Sequence, residues 1–382
     1  MMSKFGKREY LIEVKRKYWK ASKKRKGQLL DDFCDFTGIH RKSALRLING
    51  RMQPKWRHRK KREKHYDQPV IDALVLLWRA TDEICAERLH PFIPEILQRL
   101  VDCQEIVVND EVRDKLLKIS LGLVKEILSK TKHRSVVRIG GTTKPGSILK
   151  RQIAIRYGRW DETAPGWCET DTVAHCGESA AGEYISSLNV IDISSGWSEQ
   201  SAIKNKGERA VTSAMDGIKK RLPFILLGLD PDNGAEFINW SLYNYCQKNK
   251  VNLTRSRPYH KNDNAHIEQK NWTAVRQLVG YSRLETDEQL DILNDLYANE
   301  WRLYLNFFQP TMKLKERIKD AGTGKSTKRY YEAKTPYQRL VEHPEISQDQ
   351  KDMLKQIYES LNPIELKRQI QVKINRLKRT LK

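Results

Sequence analysis

The sequence predicts a mixed α/β domain that lies between two basic, helical regions. From about residue 160 onward, short segments with the alternating or apolar pattern of strands are separated by segments with helical periodicity, which is typical of a layered α/β fold. The apolar run FILLGL (224–229) is followed by Asp232-Asn233-Gly234, the pattern of a buried strand that ends in a sharp turn. A carboxylate there would project from the end of a sheet, where open α/β folds bind ligands.

The bulk composition favours a polyanionic partner. The chain has 382 residues, which is enough for two or three domains. Its 71 Lys and Arg against 48 Asp and Glu give a formal charge of +23, which favours nucleic acid ahead of a membrane surface. The six cysteines form no CxxC pair and no apolar run has membrane-spanning length. We therefore expect reduced cysteines and a cytoplasmic, nucleoid-associated protein.

The first region, residues 1–66, contains a candidate helix-turn-helix. One helix ends near Gly38, and its predicted apolar face consists of Leu29, Leu30, Phe33 and Phe36. A second helix over 41–48 would turn inward Ala44, Leu45 and Leu47. Its outward residues are Arg41, Lys42 and Arg46, which we expect to contact DNA because the second helix of this motif enters the major groove. An ordinary αα-hairpin is the alternative, and the flanking basic residues favour the DNA-binding interpretation.

Residues 67–130 predict a second helical region, which is a candidate for another helix-turn-helix. Thr81 has the position of a helix N-cap, Pro91 and Pro94 are expected to interrupt the helix that follows, and Asn109 is expected to cap the next one. Residues 131–159 are rich in glycine and basic residues and predict a linker.

The α/β domain is expected over residues 160–282. Strands are predicted at 167–173, 184–193, 196–203, 224–229 and 252–255, with helices at 208–222, 236–248 and from about 264. Residues 283–382 predict a basic, mostly helical region with a flexible segment over 313–329. Within it, GTGKST (322–327) resembles the end of a P-loop, but Lys319 occupies the position of the first glycine and no apolar strand precedes it, so we exclude an ATP site.

Three carboxylates are candidates for a metal site. Asp171 lies in a predicted strand, Asp232 follows the apolar strand, and Glu268 lies near the start of a predicted helix. Carboxylates at one edge of a sheet can hold two divalent cations that act on a phosphodiester. Neighbouring acids offer alternatives: Asp230 on the same strand as Asp232, and Glu169 on the same strand face as Asp171.

Four segments resemble a known family. GWCETDTV, NVIDISSGWSE, LGLDPDNGAEF and RSRPYHKNDNAHIEQKNW are similar, in order and spacing, to the integrase core of retroviral integrases and insertion-sequence transposases. The resemblance covers about residues 160–280, and the residues of its motifs are closer to those of the bacterial transposases. It implies an RNase H-like fold, with a mixed five-stranded sheet flanked by helices. It also implies a DDE triad at Asp171, Asp232 and Glu268 that binds two Mg²⁺ or Mn²⁺ ions.

The resemblance further implies what the protein does and with what it assembles. The expected activity is metal-dependent hydrolysis at transposon ends, followed by 3′-OH strand transfer into target DNA. The expected partners are double-stranded DNA, as terminal inverted repeats and as target, and further copies of the chain on that DNA. A sequence-specific regulator with an unused integrase core is the alternative, and a nuclease that only hydrolyses is a third interpretation.

The chain departs from the family pattern in two places. The N-terminal half shows no HHCC zinc module, and the position two turns beyond the glutamate holds Val275 instead of a basic residue. We therefore assign DNA contacts in the core to Lys261, Lys270 and Arg276.

Other polar residues have ordinary structural interpretations. Asp263 has the position of a helix cap. His175 and Cys176, together with Cys168, suggest zinc, but without a paired CxxC or HxxxH motif a structural histidine and a buried thiol are favoured.

Overall fold

The computed structural model describes residues 4–50, 66–131, 154–155, 164–205, 207–231, 236–237, 239–255, 267, 270–319 and 326–381. The chain divides into two compact units, Met1–His65 and Tyr66–Lys382. Among the described residues, no helix is both long and apolar enough to cross a membrane.

The described part of the first unit consists of three helices around a small core. They are α1 (Lys4–Tyr18), α2 (Lys23–Thr37) and α3 (Arg41–Asn49). The core consists of Val14, Leu30, Phe33, Ala44 and Ile48. Helix α2 ends because Gly38 adopts a left-handed φ of 68°, and its N–H donates to the Cys34 carbonyl. The predicted pair of helices joined by a glycine turn is therefore confirmed.

For two residues of this unit the predicted inward orientation is wrong. Phe36 is 67% exposed and Leu47 is 42% exposed. On α3 the inward stripe runs through Ala44 and Ile48, four residues apart, as the 3.6-residue helical period requires. Leu47 is displaced from that stripe by one position.

The second unit begins with helices that share one hydrophobic core with its sheet. Their bounds are α4 (Gln68–Ala80), α5 (Ala86–Asp102), α6 (Asp110–Lys118) and α7 (Leu121–Thr131). Apolar residues of these helices, of the sheet and of the C-terminal helices belong to a single buried cluster. The predicted cap is confirmed at Asn109, whose side chain accepts a hydrogen bond from the Val112 N–H over 2.8 Å.

Two details of these helices differ from the prediction. Thr81 ends α4 instead of starting α5, because its hydroxyl donates back to the carbonyls of Leu77 and Trp78. Pro91 and Pro94 lie inside α5. A proline in a helix costs about 3 kcal/mol, but α5 buries seven side chains that are mostly large and apolar, and each such side chain contributes roughly 1.5–3 kcal/mol.

A mixed sheet forms the centre of the second unit. Its strands are β1 (Ala154–Ile155), β2 (Trp167–Ala174), β3 (Ile185–Asp192), β4 (Ser198–Lys204), β5 (Gly228–Pro231) and β6 (Asn252–Arg255). The spatial order is β1-β6-β5-β2-β3-β4. Strands β2, β3 and β4 pair antiparallel, whereas β5 and β6 continue from β2 in parallel. The five strands β2–β6 have the RNase H-like order, which confirms the predicted fold class, and β1 adds two residues at the edge.

Helices flank the sheet and complete the chain. They are α8 (Glu208–Arg221), α9 (Trp240–Lys248), and α10, which is π-helical over Asn271–Arg276 and continues as Gln277–Val279. Helix α11 comprises Asp287–Leu296, a π-helical turn over Tyr297–Trp301, and Arg302–Phe308. The last helices are α12 (Pro336–Glu342), α13 (Gln348–Ser360) and α14 (Pro363–Arg379).

The strand expected at 224–229 begins later than predicted. Pairing of β5 with β2 starts at Gly228, opposite Trp167, and Ile225 is 75% exposed. Only glycine fits at position 228, because a Cβ there would lie 2.2 Å from the Trp167 ring. The contact with Trp167 therefore fixes where the strand begins.

Two asparagines of α11 cover the outer side of β4. The Asn294 side chain accepts from the Ala202 N–H over 2.8 Å and donates to the Ala202 carbonyl over 3.0 Å. Asn306 bonds Ser198 in the same two ways, over 2.8 and 2.9 Å. Each side-chain amide therefore makes the two hydrogen bonds that the backbone of a neighbouring strand would otherwise make.

A buried ion cluster joins β4 to the helices. Glu199 is fully buried and accepts hydrogen bonds from Arg221 of α8 over 3.0 Å and from Arg302 of α11 over 2.9 Å. The Trp197 indole N–H also donates to it, over 3.0 Å. Both carboxylate oxygens are thus paired inside the protein.

The basic segment after α11 forms a hairpin where a flexible segment was expected. Its strands are β7 (Leu314–Lys319) and β8 (Ser326–Tyr330), which form a separate two-stranded antiparallel sheet. We call this hairpin the basic ribbon. Its side chains over residues 314–318 and 326–330 are exposed.

Candidate active site

Asp171 lies in the middle of β2, which runs between β3 and β5. It is half-buried, and its backbone position lies opposite Asn189 of β3. Because side chains alternate along a strand, Asp171 shares its face with Glu169, two residues earlier. The central strand therefore presents two carboxylates on one face.

Asn271 of α10 holds the Asp171 carboxylate. Its side-chain amide donates to Asp171 Oδ2 over 2.6 Å, and the Thr172 N–H donates to Oδ1 over 2.7 Å. A neutral amide orients a carboxylate without cancelling its charge. Asn271 and the Thr172 N–H therefore orient the Asp171 carboxylate and leave it ionised.

Behind Asn271 a chain of amides crosses the sheet. Asn189 of β3 donates to the Asn271 side-chain oxygen over 3.0 Å, and Gln200 of β4 donates to the Asn189 side-chain oxygen over 3.0 Å. Asn189 and Gln200 are fully buried and lie opposite each other on neighbouring strands. Because these side chains are packed and hydrogen-bonded, they fix the position of Asn271.

Two further carboxylates lie deep on the same side of the sheet. Glu169 is 1% exposed and its backbone position is paired with Asp230 of β5, which is fully buried. Glu169 Oε2 accepts from the Ile267 N–H over 2.9 Å, and Asp230 Oδ1 accepts from the Thr254 hydroxyl over 2.8 Å. Glu169 thus joins the central strand to the segment that precedes α10.

Only one residue of the predicted triad lies in the described part of the chain. Asp232, Glu268 and the predicted DNA-contact residue Lys261 lie outside the described residues, as does Asp263. Within the described ranges no group of three or more His, Cys, Asp or Glu side chains is arranged to hold a metal ion. The potential metal donors described at Asp171 and Glu169 are carboxylate oxygens, which suit Mg²⁺ or Mn²⁺ better than a soft metal.

Of the two residues predicted to contact DNA near α10, Lys270 is buried and Arg276 is half-buried. Lys270 is 7% exposed and lines a cavity. Burial, together with the charges of Arg88 and Arg339, lowers the pKa of the Lys270 ammonium to about 7. Arg276 donates to the Ala174 carbonyl over 2.8 Å, and burial lowers the pKa of its guanidinium.

The predicted DNA-contact residues of the first unit are exposed. Arg41, Lys42 and Arg46 all lie on α3, with their side chains open to solvent. Arg41 forms an ion pair with Asp31 of α2. The surface of α3 is therefore basic, as the sequence predicts.

The histidine and cysteines that suggested zinc have other partners. His175 is fully buried, and its Nε2 lies 2.8 Å from the Ser187 hydroxyl, which in turn lies 2.8 Å from the Tyr297 hydroxyl. Burial, with the Arg276 charge nearby, lowers the pKa of His175 to about 3. Cys176 Sγ contacts the Gly177 carbonyl and Cys168 is a free buried thiol. These contacts are those of a structural histidine and of buried thiols.

Sequence reasoning missed Asn271, Asn189 and Gln200. Asn271 follows Glu268 by three residues, and residues at this spacing are neighbours on a helix. That spacing was a usable signal. Asn189 and Gln200 lay on predicted strands, but their register, and hence their contact, does not follow from a single sequence.

Comparison with known proteins identifies a relative. Over 335 residues the chain is 36% identical to "Uncharacterized protein y4rM" of Sinorhizobium fredii (strain NBRC 101917 / NGR234), a match that covers 87% of this chain and 93% of the relative. No protein-family model matches the chain.

Solved structures give weaker matches. The catalytic core domain of BIV integrase matches with 16% identity and a TM-score of 0.28, over 45% of this chain and 91% of that chain. The HTLV-2 integrase catalytic core domain in complex with magnesium, in its trimeric form, matches with 17% identity and a TM-score of 0.29, over 46% and 95%. The strand order of the sheet, and not these weak matches, identifies the fold.

Proposed function

We propose that this chain, which belongs to the family of the uncharacterized Sinorhizobium fredii protein y4rM, is a DNA transposase. Its core would hydrolyse a phosphodiester at the end of a mobile element and join the resulting 3′-OH to target DNA. The single observation that carries the proposal is the position of Asp171. It lies on the central strand of an RNase H-like sheet and is held by Asn271, three residues beyond Glu268.

The proposed catalytic residues are Asp171, Asp232 and Glu268. Asp232 follows Asp230 by two residues, just as Asp171 follows Glu169, and Glu169 and Asp230 are register partners. Asp171 and Asp232 therefore each lie two residues beyond a member of the Glu169–Asp230 register pair. This equal spacing supports Asp232 over Asp230 as the second carboxylate. The full burial of Asp230 supports the same choice.

The three carboxylates would hold two Mg²⁺ or Mn²⁺ ions. When bound, such ions stabilise the charge on both the attacking and the leaving oxygen of a phosphodiester. The protein's own part is orientation. Asn271 fixes the Asp171 carboxylate, and Glu169 anchors the Ile267 N–H, one residue before Glu268.

Binding of the element ends is assigned to the first unit. Arg41, Lys42 and Arg46 are exposed on α3, and α3 follows a glycine turn as the second helix of a helix pair. A helix in this position of a helix-turn-helix reads the major groove. We assign recognition of the terminal inverted repeats to these residues.

A second DNA contact is assigned to the basic ribbon. Arg317 of β7 and Lys328 of β8 are direct cross-strand partners, and both side chains are exposed. Like charges in this arrangement are destabilising in an isolated hairpin, and a two-stranded hairpin of its own is marginal in water. A polyanion against this face would relieve the repulsion, and a two-stranded ribbon fits the major groove.

Lys261, Lys270 and Arg276 complete the proposed set of DNA-contact residues from the sequence. The burial of Lys270 limits its contact to a phosphate group that enters the protein, whereas Arg276 is half-buried. Transposition joins two DNA ends, so we propose that the chain acts as a multimer on DNA.

The test is a cleavage and joining assay. Wild type, Asp171→Asn, Asp232→Asn and Asp230→Asn are incubated with Mg²⁺ and a labelled duplex that carries the element's end. We expect wild type to nick and join, Asp171→Asn and Asp232→Asn to bind without nicking, and Asp230→Asn to retain nicking if it folds.

Each other outcome favours a specific alternative. Binding by wild type without nicking would favour a sequence-specific regulator. Nicking without joining would favour a plain nuclease. If Asp232→Asn nicks like wild type and a folded Asp230→Asn does not, the second carboxylate is Asp230.

A further inference from the structure

A cavity of about 250 Å³ lies beside α10 in the second unit. Its walls come from α10, α11, the end of β3, the α4–α5 connection, the segment after α11, and α12. Of the residues that the structure describes, four basic ones line it: Arg88, Lys270, Lys313 and Arg339. They come from four separate parts of the chain, so the fold itself gathers these positive charges.

Three of the four cations bind neutral acceptors. Arg88 donates to the Pro310 carbonyl, Lys313 to the Ile193 carbonyl and Arg339 to the Ser195 carbonyl. Carbonyl oxygens orient these side chains but do not neutralise their charge. The cations are therefore held in place facing one cavity.

Lys270 differs from the other three. It is 7% exposed and lines the cavity, yet among the described residues no hydrogen bond or ion pair reaches its Nζ. Burial of an ionised group without a partner is costly, and buried polar groups in proteins almost always have one. The missing partner of Lys270 is the observation that points to a ligand.

The acids that line the cavity do not balance its charge. Asp192 is 1% exposed and accepts hydrogen bonds from the Ser195 N–H and hydroxyl. Asp82 pairs with Lys367 over 3.1 Å, and Glu83 is exposed at the rim. Among the residues that the structure describes, four cations therefore face one buried carboxylate and two acids at or near the surface.

We propose that this cavity binds a phosphate group or a similar tetrahedral oxyanion, with Lys270 as its buried cation. The volume is below the roughly 300–1,000 Å³ of sites for drug-sized ligands, yet several times the approximately 30 Å³ share of one water. Guanidinium and ammonium groups are the side chains that bind phosphate, and both kinds line this cavity. The source of the group is either a free phosphate compound or a phosphate of the DNA backbone.

The first test compares sulfate with chloride at equal ionic strength. The thermal unfolding of wild type, Lys270→Met and Lys220→Met is followed by circular dichroism. Lys220 is a matched control because it is exposed on α8 and, within the described part of the chain, is paired with Asp216. We expect sulfate to raise the Tm of wild type and of Lys220→Met by several degrees more than that of Lys270→Met.

The difference between variants removes the general effect of sulfate, which stabilises most proteins by exclusion from their surface. Lys270→Met is also expected to be more stable than wild type in chloride, because it removes an unpaired buried charge. An equal gain from sulfate in Lys270→Met and wild type would overturn the proposal.

Two further measurements keep the proposal testable if Lys270→Met does not fold. Lys270→Arg retains the charge and is expected to retain the sulfate response. Calorimetric titration of wild type with inorganic phosphate is expected to show one saturable site. Absence of saturable binding in that titration would overturn the proposal without any variant.

A DNA titration separates the two sources. The affinity of wild type and Lys270→Met for a short duplex is measured by fluorescence anisotropy over a series of salt concentrations. A weaker affinity of the variant, with its log–log salt slope reduced by about one, assigns the site to a backbone phosphate. Equal DNA affinity with loss of the sulfate response assigns it to a free phosphate compound. This titration does not depend on cleavage, so it succeeds or fails independently of the proposed transposase activity.

Discussion

Asn271 donates a hydrogen bond to Asp171 Oδ2 over 2.6 Å, which ties helix α10 to the central strand of the sheet. The bond joins a residue of the π-helical part of α10 to the middle of β2. π-helical turns occur frequently at functional sites. The position of the Asp171 carboxylate thus depends on a neutral residue of a neighbouring helix.

Replacement of Asn271 should slow catalysis and leave DNA binding intact. We expect Asn271→Ala to lower the nicking rate about 10- to 100-fold, the range for loss of a residue that orients a metal ligand. The side chain carries no charge, so affinity for duplex DNA should be unchanged. The rate is measured on a labelled element end and the affinity by anisotropy.

The control for this substitution is Asn299→Ala. Asn299 is an asparagine of α11 whose amide donates only to Asp295 among the described residues. Asn299→Ala should nick the labelled DNA at the wild-type rate. Full activity in Asn271→Ala would show that the hydrogen bond has no part in the reaction.

Neutralising the basic ribbon should reduce the salt dependence of DNA binding. The triple variant Lys315→Ala, Arg317→Ala, Lys328→Ala is expected to lower the log–log salt slope by about 2–3, because each lost phosphate contact contributes about 0.9. Anisotropy titrations at several salt concentrations measure the slope. A triple variant of exposed lysines elsewhere in the second unit, at positions Lys118, Lys130 and Lys220, is matched in charge. Equal slopes in the two variants would remove the ribbon from the DNA interface.

Loss of the Glu199 carboxylate should destabilise the second unit. Glu199→Ala leaves Arg221 and Arg302 without their buried partner, and removal of one member of a buried ion pair costs about 3–5 kcal/mol. The free energy of unfolding in urea measures the loss. Glu126→Ala is the control, since the Glu126–Lys130 pair is exposed and such pairs contribute little to stability. Similar losses in the two variants would contradict the structural role of Glu199.

Stability should fall in mild acid because His175 is buried in its neutral form. Its pKa is about 3 in the folded protein and about 6.5 when unfolded. Between these values the unfolded chain binds the extra proton, so the stabilisation is complete above pH 6.5 and is lost as the pH falls. We expect about 1.4 kcal/mol per pH unit.

The comparison with His175→Gln isolates this effect from the titration of carboxylates. The free energy of unfolding of wild type minus that of the variant should decrease steadily from pH 6.5 to 4.5. A difference that does not change with pH would mean that His175 titrates normally in the folded state.

The sequence predicted the elements whose patterns are local. The alternation in WCETDTV indicated β2 and placed Asp171 on it, and the Asn109 cap followed from its position before an acidic first turn. Thr81 was misplaced because a threonine hydroxyl can bond either a following N–H or a preceding carbonyl, and tertiary contacts decide between them. The local pattern predicts breaks at Pro91 and Pro94 because the burial that outweighs them is not visible in it.

The cavity beside Lys270 was beyond the reach of sequence reasoning for a related reason. Its cations lie at positions 88, 270, 313 and 339, and nothing in the sequence relates such distant residues. The sequence predicts a DNA contact for Lys270 because it is a basic residue close to Glu268, where the family resemblance implies one. The burial of a lysine becomes visible only when the surrounding helices are in place.

The amides of Asn294 and Asn306 also constrain how two copies of the chain can meet. A sheet edge with open backbone groups invites another chain to add a strand, which leads to continuous, fibre-forming sheets. At Ser198 and Ala202 of β4 those groups are occupied by side chains of the same molecule. A copy that approaches these two positions meets side-chain amides instead of open backbone groups, which disfavours a continuous sheet between copies.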